Sequence, residues 1–121
     1  MKILLETERL VLREITLDDK EALFQLHSNP EVQKYTGESV VTSIEEIEKA
    51  IASRIRDYKK YGFGRWATVL KSNHQFVGWA GLAYLPEFDE VDLGYRFLPT
   101  YWGLGIATEA SQAILKYGFD T

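Results

Sequence analysis

The apolar positions Ile44, Ile47, Ile51, Ile55 and Tyr58 follow one another at steps of three, four, four and three along an otherwise charged stretch. That spacing puts them on one stripe of a helix, with Glu45, Glu48, Lys49 and Arg56 on the solvated face. Ser43-Ile44-Glu45-Glu46 has the form of a capping box, and Tyr61-Gly62 supplies a glycine stop. A weaker helix precedes it. Thr16-Leu17-Asp18-Asp19 also has a capping pattern with Thr16 as N-cap, Ala22, Leu23 and Leu26 recur at helical spacing, and Asn29-Pro30 ends the run. Glu31 to Thr42 has no clear period and reads as a short helical turn plus loop.

Alternation with period two marks the strands. In Thr7 to Arg13, Leu10 and Leu12 point to one face and Arg9, Val11 and Arg13 to the other. Beyond the second helix lie three strand-like segments, Arg65 to Leu70, Gln75 to Leu85 and Glu90 to Leu98. Lys71-Ser72-Asn73-His74 and Pro86-Glu87-Phe88-Asp89 join them, connections short enough to demand an antiparallel meander. In the third segment Val91, Leu93, Tyr95 and Phe97 share a face, with Asp92, Gly94 and Arg96 opposite. A glycine inside that pattern implies a bulge or the close approach of another backbone or ligand. The final helix is predicted to begin at Gly103, with Ala107, Ala110, Ile114 and Tyr117 as its stripe and Gly118 as its C-cap. The order β-α-α-β-β-β-α predicts an α+β fold with a mostly antiparallel sheet.

At 121 residues the chain is read as one domain, 1–121. A composition of 45% hydrophobic and 26% charged residues is that of a globular protein. No apolar run approaches the roughly 20 residues of a membrane span, and Glu6 interrupts the apolar start too early for a signal peptide. The absence of cysteine removes disulfides, thiolate metal sites and a cysteine nucleophile, and favours the cytoplasm. A net charge of −4 without any Lys/Arg run argues against a nucleic-acid partner and suits an amine-bearing one. His27 and His74 read as surface residues with no metal-site pattern around them. Trp66, Trp79 and Tyr84 read as core or sheet-face packing rather than as walls of a substrate site.

The segment Leu98-Pro99-Thr100-Tyr101-Trp102-Gly103-Leu104-Gly105-Ile106-Ala107-Thr108-Glu109-Ala110 carries the chemistry. A strand runs into a glycine-rich turn that opens into a helix of small residues. The first amides of a helix lack intrahelical acceptors, and the helix dipole adds positive potential there. With no side chains on Gly103 and Gly105 to block approach, the segment suits a phosphate or pyrophosphate. No Gly-Lys-Ser/Thr is present, which excludes a Walker loop. Thr108 and the antiparallel setting disfavour a dinucleotide fingerprint.

The run Tyr101-Trp102-Gly103-x-Gly105-Ile106-Ala107-Thr108-Glu109-Ala110 resembles the acetyl-CoA loop of GNAT N-acetyltransferases, in the branch that includes ribosomal-protein alanine acetyltransferases. Thr7-Glu8-Arg9-Leu10-Val11-Leu12-Arg13 resembles that branch's first strand, Asp92-Leu93-Gly94-Tyr95 its fourth, and Ala113-Ile114-Leu115-Lys116-Tyr117-Gly118-Phe119 the helix that follows. The resemblance implies acetyl-CoA as cosubstrate, with no metal. Amides of Gly103, Leu104, Gly105, Ile106, Ala107 and Thr108 would cradle its pyrophosphate, with Trp102 standing where the family has Gln or Arg. A bulged strand around Tyr95, Phe97 and Leu98 would pair with the pantetheine arm. Asp92, with Glu90 in reserve, would serve as the base that frees a primary amine, given burial to suit it to the task. Tyr35 and Glu38 would shape the acceptor pocket, the acceptor being a protein N-terminus or a small amine. Family members continue with a further strand, a helix and a hairpin. Their absence here implies a homodimer or larger oligomer, or else a truncated, inactive CoA-binding or interaction module.

Overall fold

Five strands make one antiparallel sheet in chain order: β1 (Ile3–Glu6), β2 (Leu10–Arg13), β3 (Arg65–Leu70), β4 (Phe76–Leu85) and β5 (Glu90–Phe97). This is a computed structural model, and it describes residues 3–32, 43–85 and 90–120. The sheet carries one strand more than the pattern predicts. Ile3-Leu4-Leu5 is a continuous apolar run with no alternation to mark it as a strand. Thr7-Glu8-Arg9, predicted to open the first strand, is instead the turn of a hairpin. Thr7 N–H donates to the Leu10 carbonyl at 2.8 Å, and Leu10 N–H returns to Thr7 Oγ1 at 3.0 Å.

Helices cover both faces of the sheet. A 3₁₀ turn at Leu17–Asp19 leads into α1 (Lys20–Ser28), which packs with α2 (Ile44–Tyr61) on one face. Thr16 and Asp19 close the first capping box reciprocally, and Ser43 Oγ accepts from Glu46 N–H at 3.4 Å. Gly62, at φ 78°, stops α2 in the left-handed conformation that glycine adopts without penalty. On the other face lies α3 (Ile106–Asp120).

The two-residue period of the strands feeds two cores at once. Trp66 and Ala80 are cross-strand partners facing α3, beside Leu10, Leu12, Val77, Phe97, Ile106, Ala110 and Ile114. Their neighbours Ala67 and Trp79, also partners, face α1 and α2 with Ile15, Leu23, Leu26, Ile47 and Ile51. Each face thus matches a large ring with a methyl group, which lets the helices approach closely. Ile51 is wholly buried, and trimming such a side chain to alanine costs about 2–5 kcal/mol.

Two local expectations fail for definite reasons. The β4–β5 ladder stays in step from Gly78↔Phe97 to Leu85↔Glu90, so β5 has no bulge in it. The irregularity sits between β3 and β4, where Thr68↔Gly78 is followed by Val69↔Phe76, and Val77 is the extra residue. At the C-terminal end, α3 starts at Ile106 rather than Gly103 and runs on past Gly118. Gly103 and Gly105 both have φ 78° and so belong to the turn, not to a right-handed helix.

Candidate functional site

The glycine turn forms the floor of a cleft of about 370 Å³, lined by Tyr95, Phe97, Tyr101, Trp102, Gly103, Gly105, Ile106, Ala107 and Thr108. The first hydrogen bond of α3 runs from Glu109 N–H to the Gly105 carbonyl at 3.0 Å. Ile106, Ala107 and Thr108 therefore present amides that come before the helical ladder begins. A Cβ on Gly103 would meet nothing within 4 Å, which leaves the approach open. Leu104 is exposed, and its carbonyl is occupied from behind by Arg9 Nη1 at 2.8 Å. With N–H groups concentrated toward the cleft and an acceptor tied back, the turn suits an anion.

Arg9 is the site residue that the sequence pattern does not assign. From the β1–β2 turn its Nε reaches Glu109 Oε1 at 2.7 Å, and its backbone N–H donates to Glu109 Oε2 at 3.0 Å. Thr7 Oγ1 donates to the same carboxylate oxygen. Burial pushes the Glu109 carboxyl up, but the hydrogen bonds from Thr7 and Arg9 and the Arg9 charge outweigh it, so the group ends below the usual carboxylate range. The hairpin turn is thus bolted to the first turn of α3, a hundred residues away in sequence. Thr7, Arg9 and Glu109 lie inside segments with a family resemblance, but only folding brings them together.

Strand β5 borders the cleft as the outermost strand of the sheet. Leu98 N–H donates inward to the Val77 carbonyl at 2.9 Å, so alternation turns the amides of Tyr95 and Phe97 toward the open edge. Trp102 Nε1 donates to the Phe97 carbonyl at 2.9 Å, closing the edge at its lower end. Both backbone groups of Leu98 are already engaged, its carbonyl by Tyr101 N–H at 3.0 Å. Of the strand residues proposed for the pantetheine arm, Tyr95 and Phe97 keep a free edge amide, and Leu98 offers only contact.

The opposite face of the same strands holds a cavity of about 380 Å³ between the sheet and α1 and α2. Arg54, Arg65 and Arg96 contribute to its wall, with His27, Trp79 and Glu46. Arg65 lies over the Trp79 ring at 4.9 Å and Arg96 at 5.3 Å. Gly94 admits the Arg65 guanidinium, since a Cβ there would fall 1.9 Å from Nη1. The glycine on β5 thus marks a close approach, made by a side chain. His27, expected at the surface, is half-buried and engaged: its Nε2 accepts from Trp79 Nε1 at 3.3 Å, and its Nδ1 lies 3.1 Å from Arg96 Nη1. Trp79 is both core and cavity wall, whereas Trp66 is core alone.

Asp92 touches this cavity's wall through Arg65. Its side chain is 51% exposed and pairs with Arg65 Nη2 at 3.3 Å, so the burial asked of it as a base is not found. Glu90 opens β5 as a backbone position, and its side chain lies outside what is described. Tyr35 and Glu38 fall outside the described residues, as does the side chain of Tyr84. Among the described residues no group of three His, Asp or Glu side chains is placed to hold a metal ion.

A glycine turn at a helix start, set beside the free edge of an antiparallel sheet, gives this α+β domain a place suited to an anion. The sequence model of the GNAT acetyltransferase domain matches residues 9–121, and the chain belongs to that family. It is 33% identical over 118 residues to the uncharacterized N-acetyltransferase YoaA of Bacillus subtilis (strain 168), covering 97% of this chain and 67% of that protein. A GNAT-family acetyltransferase of Bacillus anthracis superposes with a TM-score of 0.78 at 29% identity, over 99% of this chain and 67% of that one. The spermidine N-acetyltransferase of Vibrio cholerae, solved with CoA and spermine, gives a TM-score of 0.77 at 20% identity, over 94% and 66% of the two chains, a likeness of fold alone. The chain spans about two-thirds of the length of each.

Proposed function

We propose that the chain is an acetyl-CoA-dependent N-acetyltransferase acting on a primary amine. The observation that carries this reading is the turn with Gly103 and Gly105 at φ 78°, opening onto unladdered amides at Ile106, Ala107 and Thr108. These would take the CoA pyrophosphate. The edge amides of Tyr95 and Phe97 would pair with the pantetheine arm as an added strand does. An amide left over at that edge would polarise the thioester carbonyl. In transfer, the amine nitrogen attacks the thioester carbon, the C–S bond breaks, CoA leaves as the thiolate and takes a proton from solvent, and the nitrogen gives up one proton. Asp92, with Glu90 as reserve, is the proposed acceptor of that proton, through water from its exposed position beside Arg65. Tyr35 and Glu38 are proposed to border the acceptor.

Calorimetric titration with acetyl-CoA tests the cofactor half, with Gly105→Glu as control. Saturable binding that the variant loses supports the reading, and a folded chain that takes up no acetyl-CoA overturns it. Release of free thiol with a panel of amines then tests transfer. The ion-paired, half-exposed state of Asp92 favours a second reading, a module that binds CoA without turnover, and binding without thiol release would select it. Among the described residues no helix is long and apolar enough to cross a membrane. Homo-oligomerisation also belongs to this proposal. Val91 and Tyr95 are exposed on the outermost strand, and light scattering would read the assembly mass.

A further inference from the structure

Amides can receive a pyrophosphate only if the peptides that carry them face the cleft. Leu104 stands between Gly103 and Gly105, both at φ 78°. The two glycines make the turn possible, and they also leave the peptide between Leu104 and Gly105 free to turn over. Such a flip takes Gly105 from a φ of 78° to about −100°, and glycine adopts either value without penalty. In one orientation the Gly105 N–H faces the cleft. In the other the Leu104 carbonyl faces it, and a carbonyl repels an anion.

A side chain from the other end of the sequence makes the choice. Arg9 Nη1 donates to the Leu104 carbonyl at 2.8 Å. In a planar trans peptide the N–H points opposite to the carbonyl, so the Gly105 N–H is turned away from Arg9. Gly103 and Gly105 line the cleft and Arg9 does not, which puts that N–H on the cleft side. The guanidinium is held on a second side as well. Its Nε donates to Glu109 Oε1 at 2.7 Å, and two anchors on one rigid plane fix where Nη1 points. Glu109 is itself gripped by the Arg9 backbone N–H at 3.0 Å and by the Thr7 hydroxyl. A Cβ on Gly105 would come within 3.4 Å of Arg9 Nη2, so the guanidinium also lies against the glycine it controls.

We infer that Arg9 is a positioning residue for the cofactor: its hydrogen bond to Leu104 latches the Leu104–Gly105 peptide with the N–H toward the cleft, and Glu109 aims the latch. The pyrophosphate cradle is thereby formed before the ligand arrives. The inference rests on the acetyl-CoA reading above for what fills the cradle, whereas the direction of the peptide can be read with no ligand at all. Without the latch the competent orientation is one of two, and apparent affinity falls with the fraction lost.

Two measurements on the full chain test this, for the wild type, Arg9→Met and Arg9→Lys. The residual dipolar coupling of the Gly105 N–H, taken without ligand, reports the direction of that bond, and calorimetry reports acetyl-CoA affinity. Arg9→Met keeps the aliphatic stem and loses every side-chain donor. Arg9→Lys keeps the charge, but a single ammonium cannot span the Leu104 carbonyl and Glu109 as the fork does. Denaturant unfolding establishes that each variant is folded under the conditions used. The wild-type coupling is expected to match an N–H directed away from Arg9, and to collapse toward an average in Arg9→Met. Acetyl-CoA affinity is expected to fall about tenfold in Arg9→Met and about threefold in Arg9→Lys. A coupling that survives Arg9→Met overturns the inference, and so does a collapsed coupling with unchanged affinity. Full affinity in Arg9→Lys beside a loss in Arg9→Met also overturns it, since charge alone would then account for the effect. A wild-type chain that binds no acetyl-CoA, with a coupling that still collapses in Arg9→Met, removes the acetyl-transfer reading and upholds the latch.

Discussion

The two faces of the sheet hold sites of opposite construction. On the α3 face, the proposed site draws on the backbone amides of one continuous segment from Phe97 to Glu109, with side chains such as Trp102 and Glu109 holding that backbone in place. On the α1/α2 face, Arg65, Trp79 and Arg96 come from three strands, His27 from α1 and Arg54 from α2, and side chains are everything. A main-chain site depends on φ and ψ, which glycine spacing dictates locally. A side-chain site depends on register, because a slip of one residue would turn Arg65, Trp79 and Arg96 to the other face.

That contrast is broken most severely at Gly105. Gly105→Glu puts a charged side chain on a residue at φ 78°, and acetyl-CoA affinity is expected to fall by about a hundredfold or more, read by calorimetry. The mirror experiment is Gly94→Ala, whose new methyl group displaces the Arg65 guanidinium. Stability is expected to fall by about 1–3 kcal/mol in denaturant unfolding, with acetyl-CoA affinity preserved.

A middle-sized effect should come from Tyr58, which links the two layers. Its hydroxyl accepts from Ile15 N–H at 3.0 Å and donates to the Arg65 carbonyl. Burial pushes its pKa up to about 12, so it stays a neutral donor throughout the working range. Tyr58→Phe leaves both backbone groups without that partner and should lower stability by about 1–3 kcal/mol in denaturant unfolding. The surviving folded fraction should still bind acetyl-CoA.

The smallest expected effect sharpens the role of the hairpin turn. Glu109 has a folded pKa below its usual 4.5, so its contribution to stability is complete above that value and lost as pH falls through the lower folded one. Acetyl-CoA affinity should decline in that acid window. Glu109→Gln, which cannot titrate, should weaken affinity at neutral pH by a few-fold and flatten the acid decline. An unchanged decline in the variant would show that the link from Arg9 and Thr7 to Glu109 does not hold the turn.

The second helix was legible in the sequence because its stripe, cap and glycine stop agree, and Ile47, Ile51 and Tyr58 are buried as the stripe requires. The meander from Arg65 to Phe97 was legible because its connections are too short for any other pairing. Strand β1 was not, since three successive apolar residues carry no period. His27 could not be assigned either. Nothing within helical reach of it signals that Trp79 and Arg96, more than fifty residues away, will meet its ring.

By itself the sequence determined what depends on neighbours along the chain: helices, antiparallel pairing, and the glycine-flanked run of amides before α3. Only the tertiary structure decided what depends on distant segments meeting. It set the Arg9–Glu109 link that holds the glycine turn, the approach of Arg65 over Gly94, and the gathering of Arg54, Arg65 and Arg96 at one cavity wall. The physical reason is range. Backbone conformation is fixed by sterics within a few residues, whereas side-chain charges from three separate elements combine their fields only after the sheet and helices have packed.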